Sequence, residues 1–201
     1  MRANFEDSDR DAVLRRALDD RLAATAAGAG EVEAEGLALL ERERWAEAAE
    51  VLEEGLRLVE RDGDRRTVLL ARHNLARALT RTGDTGRAIE LLGQLPDEFA
   101  ALPEPDQAAR AHALTSLGEA YLRARRPVAA VNFFGQALEI LRKENAVDQQ
   151  AGMFVHIADA ARQRGDRVAE GAALDRAVEL YESIPSPKAA GVAERRAALT
   201  R

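Results

Sequence analysis

The side chains of this chain that could carry out chemistry are few and scattered. There is no cysteine, so a thiolate nucleophile, a disulfide frame and a Cys-based zinc site are excluded. Serine occurs only at Ser8, Ser116, Ser183 and Ser186; none stands in a GxSxG turn or a recognisable triad. No GxxxxGK[ST] loop and no HExxH pair is present. A non-catalytic chain with no cofactor is expected. A metal site at His73, His112 and His156 would require distant segments to converge, so surface positions on helices are the simpler reading. Carboxylates are plentiful, but the run ERERWAEAAEVLEE over 41–54 places charges at i,i+3 and i,i+4 and reads as a solvated helix. What remains is arginine. Lys143 and Lys188 are the only lysines among 29 basic residues, a bias that with abundant alanine fits a GC-rich genome. Guanidinium groups are planar forks suited to carboxylate and phosphate. The cluster Arg123, Arg125 and Arg126 could touch phosphate, but a net charge of −6 and the lack of interleaved aromatics argue against nucleic acid as the main partner.

The elements that must position these groups are legible from a four-fold repeat. One column of small residues reads Gly36, Ala76, Gly118, Ala158, at spacings of 40, 42 and 40 residues. Three residues on come Leu39, Leu79, Tyr121 and Ala161. A second small column reads Ala48, Ala88 and Ala130, then Glu170, which breaks the pattern. Leu52, Leu92, Phe134 and Leu174 follow, then Gly55, Leu95, Ala137 and Ala177. A period in this range denotes stacked helical units, each of which needs its neighbour to hide its apolar face. Axes approach to about 8 Å only where side chains are small. Gly118 is therefore expected near Ala130, with Tyr121 and Phe134 filling the wider space beside them.

Aromatics are 4% of the chain, which suits closely packed helices better than a strand-rich core. The first seven residues read as a polar tail. A capping signal at Ser8 and Asp11 starts a helix that is expected to end at the run from Gly28 to Gly30. Helix pairs are expected over about 31–42 and 45–61, 65–81 and 84–95, 106–124 and 127–143, and 148–163 and 166–183. Pro96 is expected to stop its helix and to open an irregular segment over 95–106, with at most one helical turn at 97–102. Ser186 and Pro187 start a terminal helix. The organisation read is thus an N-terminal acidic tail and helix over 1–30, four helix pairs over 31–184 and a capping helix over 185–201. The N-terminus has no secretory signal pattern and no run approaches a membrane span, so a cytoplasmic protein is expected. Residues 31–64 carry twelve acids and four bases, whereas 186–201 carry four bases and one acid. Ends of opposite sign could steer a partner or join copies head to tail.

The run LGEAYLRARRPVAAVNFFGQAL resembles the tetratricopeptide repeat, through its Leu-Gly, its Tyr three residues later, and its following Ala, aromatic and Ala-Leu. HNLARALTRTGDTGRAIELL over 73–92 is similar, and 155–180 and 34–56 more distantly so. The family's usual period is 34 residues; the longer one here is similar to the long-repeat forms of kinesin light chains and of the sensor regions of bacterial regulators. The resemblance implies an all-α, right-handed helical-hairpin solenoid serving as a protein-interaction module. A self-assembling scaffold and a fragment of a larger regulator are the alternatives.

The resemblance also implies that the first helices line a concave groove. Its face would comprise Glu33, Leu37, Leu40 and Glu41; Leu70, His73, Arg77, Thr80 and Arg81; His112, Thr115, Glu119, Leu122 and Arg123; and Val155, Asp159, Arg162 and Gln163. Spacings of three and four keep each set on one helix face. Trp45 is expected to pack where a second helix begins. Arg77, Arg81 and Arg123 would suit an acidic or C-terminal peptide segment. The Lys and Asn set with which chaperone-binding members clamp a terminal carboxylate is not reproduced.

Overall fold

The computed structural model describes residues 28–199, all-α, with no strand among them. The tail and helix expected over 1–27 lie outside the described residues. Two compact units meet at Ala78 and Leu79, and each is taken by itself.

The first unit contains α1 (28–41), α2 (Trp45–Asp62) and most of α3 (Arg65–Thr82). Gly36 of α1 faces Leu52 of α2, where an added Cβ would come within 2.6 Å of the leucine Cγ. Leu39, Leu52, Leu56, Val59, Leu69 and Leu75 fill the interior, and Trp45 is half-buried. Asp64 caps α3: its carboxylate accepts from the Thr67 amide at 3.1 Å and the Thr67 hydroxyl at 2.6 Å. Asn74 of α3 donates to Glu33 of α1 at 3.0 Å. The run from Gly28 to Gly30 is itself helical. Glycine lowers helix propensity by only about 1 kcal/mol relative to alanine, which the buried Ala29 and the packing of α1 offset.

The second unit contains α4 (Thr85–Leu92), α5 (Leu95–Ala100), α6 (Gln107–Arg123), α7 (Pro127–Lys143), α8 (Val147–Gln163), α9 (Arg167–Glu182) and α10 (Ala189–Ala198). From α6 onward each helix packs on the next, and α4 and α5 lie against α6. Side chains of Asp84, Asp106 and Asp166 cap α4, α6 and α9, each accepting the amide three residues on. The turns need one residue in the left-handed region, supplied by Gly83, Arg125, Asn145 and Gly165, and by Glu43 in the first unit.

Two expectations are corrected here. Pro96 does not open an irregular segment; it sits in the first turn of α5, where its missing donor costs little. Leu95, Phe99 and Leu102 are buried, so 95–102 is anchored rather than loose. Gly118 does not face Ala130 but the Phe134 ring: the small residue makes room for a large side chain, not for the opposing backbone. Glu170, which breaks its column, is buried and paired, as described below.

Candidate peptide-binding groove

The C-terminal turns of α6 and α8, with the end of α3 and the turn after it, enclose an open groove of about 780 Å³ within the second unit. It is lined from α3 and its turn by Arg81, Gly83 and Thr85. From α6 and its turn come Glu119, Leu122, Arg123 and Arg125, and from α8 come His156, Asp159, Arg162 and Gln163. The repeat explains the convergence. α3 and α6 start at aspartate-capped turns, and α3, α6 and α8 each end near a left-handed residue, so their equivalent final turns stack side by side.

Two carboxylates lie in the groove and both have basic partners. Glu119 faces His156 Nε2 at 3.3 Å, and His156 stacks on the buried Phe134 ring, with centroids 5.0 Å apart. Asp159 accepts from Arg195 Nη1 at 2.8 Å and lies 4.0 Å from Arg162. Four arginines, Arg81, Arg123, Arg125 and Arg162, remain on the lining against these two acids. The guanidinium groups of Arg123 and Arg125 have no ion-pair or hydrogen-bonding partner among the described residues. Gln163 Nε2 donates to the Leu122 carbonyl at 2.9 Å, linking the α6 and α8 rims. Arg126 faces the other way, over the Tyr121 ring at 4.9 Å. The arrangement can hold an anionic, extended ligand beside one apolar contact at Leu122.

Of the residues singled out from the sequence, Arg81, Glu119, Leu122, Arg123, Asp159, Arg162 and Gln163 are brought together here. Exposed His112 and Thr115 instead line a separate cavity of about 200 Å³ with Tyr181, Lys188 and Asp148. Leu70, His73 and Arg77 belong to the first unit; Arg77 is exposed, Leu70 half-buried and His73 buried. Leu40 and Thr80 are also buried and line no surface, because each falls on the side of its helix that packs into the interior. His156 as the partner of Glu119 was not foreseen. Nor was Arg195, which lies 36 residues beyond Asp159 in the chain and has no local signal toward it.

Among the described residues no group of three or more His, Asp or Glu is placed to hold a metal ion. No helix there is long and apolar enough to cross a membrane.

Comparison with known proteins agrees with this architecture. The tetratricopeptide repeat family model matches residues 71–96 and 113–147. No curated protein matches the chain. Among solved structures, a kinesin light chain-type protein of Podosopora anserina with nearly identical TPR-like repeats superposes with a TM-score of 0.70. It is 19% identical, over 84% of this chain and 83% of that one. BtubC from P. vanneervenii gives 0.61 at 21% identity, over 78% of this chain and 65% of that one. The apo form of RapI gives 0.72 at 11% identity, over 85% and 62%. At these identities the likeness is one of fold. The two matched segments read as tetratricopeptide repeats, and the buried columns at 40- to 42-residue spacing together with these neighbours show the fold of a tetratricopeptide-like helical solenoid.

Proposed function

We propose that the protein is a non-catalytic interaction module whose groove over α6 and α8 binds a peptide segment of a partner protein through acidic side chains. The tetratricopeptide fold supports a protein–protein interaction role in general. The observation that carries the finer reading is the charge of the groove. Arg81, Arg123, Arg125 and Arg162 line it, while its two acids, Glu119 and Asp159, are engaged by His156 and Arg195. A guanidinium presents a rigid fork to a carboxylate, and Arg123 and Arg125 have that fork available.

The test begins with capture of partners on immobilised protein and identification by mass spectrometry. Labelled segments of each captured partner are then titrated by fluorescence anisotropy. A segment that binds should carry Asp or Glu and should weaken with salt, because exposed charge pairs are screened within about 10 Å at 0.1 M. Arg123→Glu should cost roughly ten- to a hundred-fold in affinity, as expected for one charge-assisted contact of about 1.5–3 kcal/mol. Unchanged affinity in a folded Arg81→Glu, Arg123→Glu, Arg162→Glu triple variant would place binding elsewhere on the molecule.

A further inference from the structure

The exposed end of the fourth helix pair carries a second set of features, which shares only the Arg195–Asp159 contact with the groove. Its second small column departs from the repeat: Ala48, Ala88 and Ala130 are fully buried, and in their place stands Glu170, 3% exposed. A buried carboxylate is costly unless paired, so its presence calls for a cation. That cation is Arg195 of α10, whose Nη2 donates to Glu170 Oε1 at 2.8 Å while Nη1 reaches Asp159 at 2.8 Å. One residue on, Arg196 forms a bidentate pair with Asp175 at 2.7 and 3.1 Å. Gly171 lies against that guanidinium: an added Cβ would be in ordinary contact with it, 3.4 Å from its central carbon. Val192 and Leu199 flank the two arginines and rest against the small apolar patch of Ala158, Ala173 and Leu174. Arg167 closes the far end by donating to the Leu199 carbonyl at 2.8 Å.

The helix that fits this face is weakly held. No residue of α10 is buried. Most of its attachment is ionic, and the outer pairs, Arg196–Asp175 and Lys188–Asp148, are partly exposed, where such pairs are worth about 0–1 kcal/mol each. A tether of six residues, 183–188, containing Pro185 and Pro187, joins it to α9. The face is therefore shaped for a helix of a defined pattern, yet its present occupant stays mainly because it is tethered, which confers an effective concentration in the millimolar range.

We propose that the α8–α9 end face is a second docking site, for a basic amphipathic helix of a partner protein. Its pattern is an apolar residue, two arginines three and four positions on, and an apolar residue three positions after the second. The C-terminal helix α10 occupies the site in cis and is displaced by that partner. The complementarity is specific in charge and in position: two arginine forks meet a buried acid with its neighbour Asp159 and an exposed acid beside a glycine.

The test uses the whole 201-residue chain and, as probe, a fluorescein-labelled synthetic peptide with the sequence of residues 186–201. In the Arg195→Glu, Arg196→Glu double variant the tethered helix is repelled by Glu170 and Asp175, and the labelled wild-type peptide should bind in trans. Its affinity should be at least tenfold higher than for the wild-type protein, where α10 competes. A peptide carrying the two reversals should not bind. Absence of binding to a folded double variant, or equal binding to variant and wild type, would overturn the proposal. Should the double variant not fold, Lys188→Gln with Arg196→Gln leaves the buried pair intact; at least a threefold gain over wild type is then expected, and no gain overturns the proposal. Doubling of the double variant's mass on mixing with wild type, by light scattering, would overturn a partner helix in favour of a second copy of this chain.

Discussion

Gly118 of α6 faces the ring of Phe134 of α7 so closely that an added Cβ would lie 2.6 Å from Cδ1. Phe134 is fully buried and stacked on His156, so the ring has nowhere to go. Gly118→Ala should therefore overpack the hairpin at a cost of about 1–3 kcal/mol, offset by the 0.5–1 kcal/mol that alanine gains over glycine in a helix. A net loss of up to about 2.5 kcal/mol is expected. Gly135, one residue beyond Phe134, has nothing within 4 Å of an added Cβ, so Gly135→Ala should gain about 0.5–1 kcal/mol. Urea unfolding midpoints of the two variants should move in opposite directions; a shared direction would contradict the packing.

The turn residues yield a second pair of opposite signs. Arg125 has φ of 60° and Gly165 has φ of 74°, at equivalent places after α6 and α8. A side chain in this region crowds its own carbonyl, at a cost of about 1–2 kcal/mol. Arg125→Gly should stabilise the protein by about 1 kcal/mol and Gly165→Ala should destabilise it by a similar amount. Thermal melts followed by circular dichroism distinguish this from a model in which both turns tolerate any residue.

The columns were readable in the sequence because they report volume, and volume is what a close helix pair selects. Ala76, Ala88, Ala130 and Ala158 are all fully buried, as a small-residue column requires. What a column does not state is which partner its gap accommodates. Gly118 and Ala130 are both small, and only coordinates reveal that Gly118 clears space for Phe134. Pro96 misled because a proline that ends one helix also serves in the first turn of the next, and the burial of Phe99 decides between the two. The family resemblance put Arg81, Glu119, Arg123 and Asp159 on the faces of first helices, and these four line the groove. Periodicity fails where a contact crosses the repeat: Glu170 broke its column visibly, but nothing local pointed to Arg195 as its partner.

Acid pH should loosen the start of α3. The Thr67 hydroxyl and amide hydrogen-bond the Asp64 carboxylate and hold its pKa below the ordinary aspartate range. A group with a depressed folded pKa contributes its full stabilisation above its unfolded pKa and loses it as pH falls through the folded one. Asp64→Ala should cost about 1 kcal/mol at pH 7, the usual worth of such a cap. The gap between variant and wild-type urea midpoints should close as the pH is lowered through the acid range. A gap that stays constant with pH would mean that the carboxylate charge plays no part in the cap.

The pair at the end of the stack should respond unequally to loss of either member. Glu170 is 3% exposed, while the Arg195 side chain is 25% exposed and also contacts Asp159. Removing the acid leaves a guanidinium that still has one carboxylate and some access to water. It also restores the alanine found in the other three copies of the column. Glu170→Ala should thus be close to neutral, within about 1 kcal/mol, since replacing buried ionic groups by apolar ones is often tolerated. Removing the base strands a buried carboxylate with no cation, so Arg195→Ala should cost about 2–4 kcal/mol, near the range for an orphaned buried charge. The Glu170→Ala, Arg195→Ala double variant should then recover part of the loss, because the stranded charge has gone. A double-mutant cycle in urea measures this directly. Equal costs for the two single variants with strict additivity in the double would mean that the Glu170–Arg195 contact carries no coupling, and that α10 is held by its other contacts.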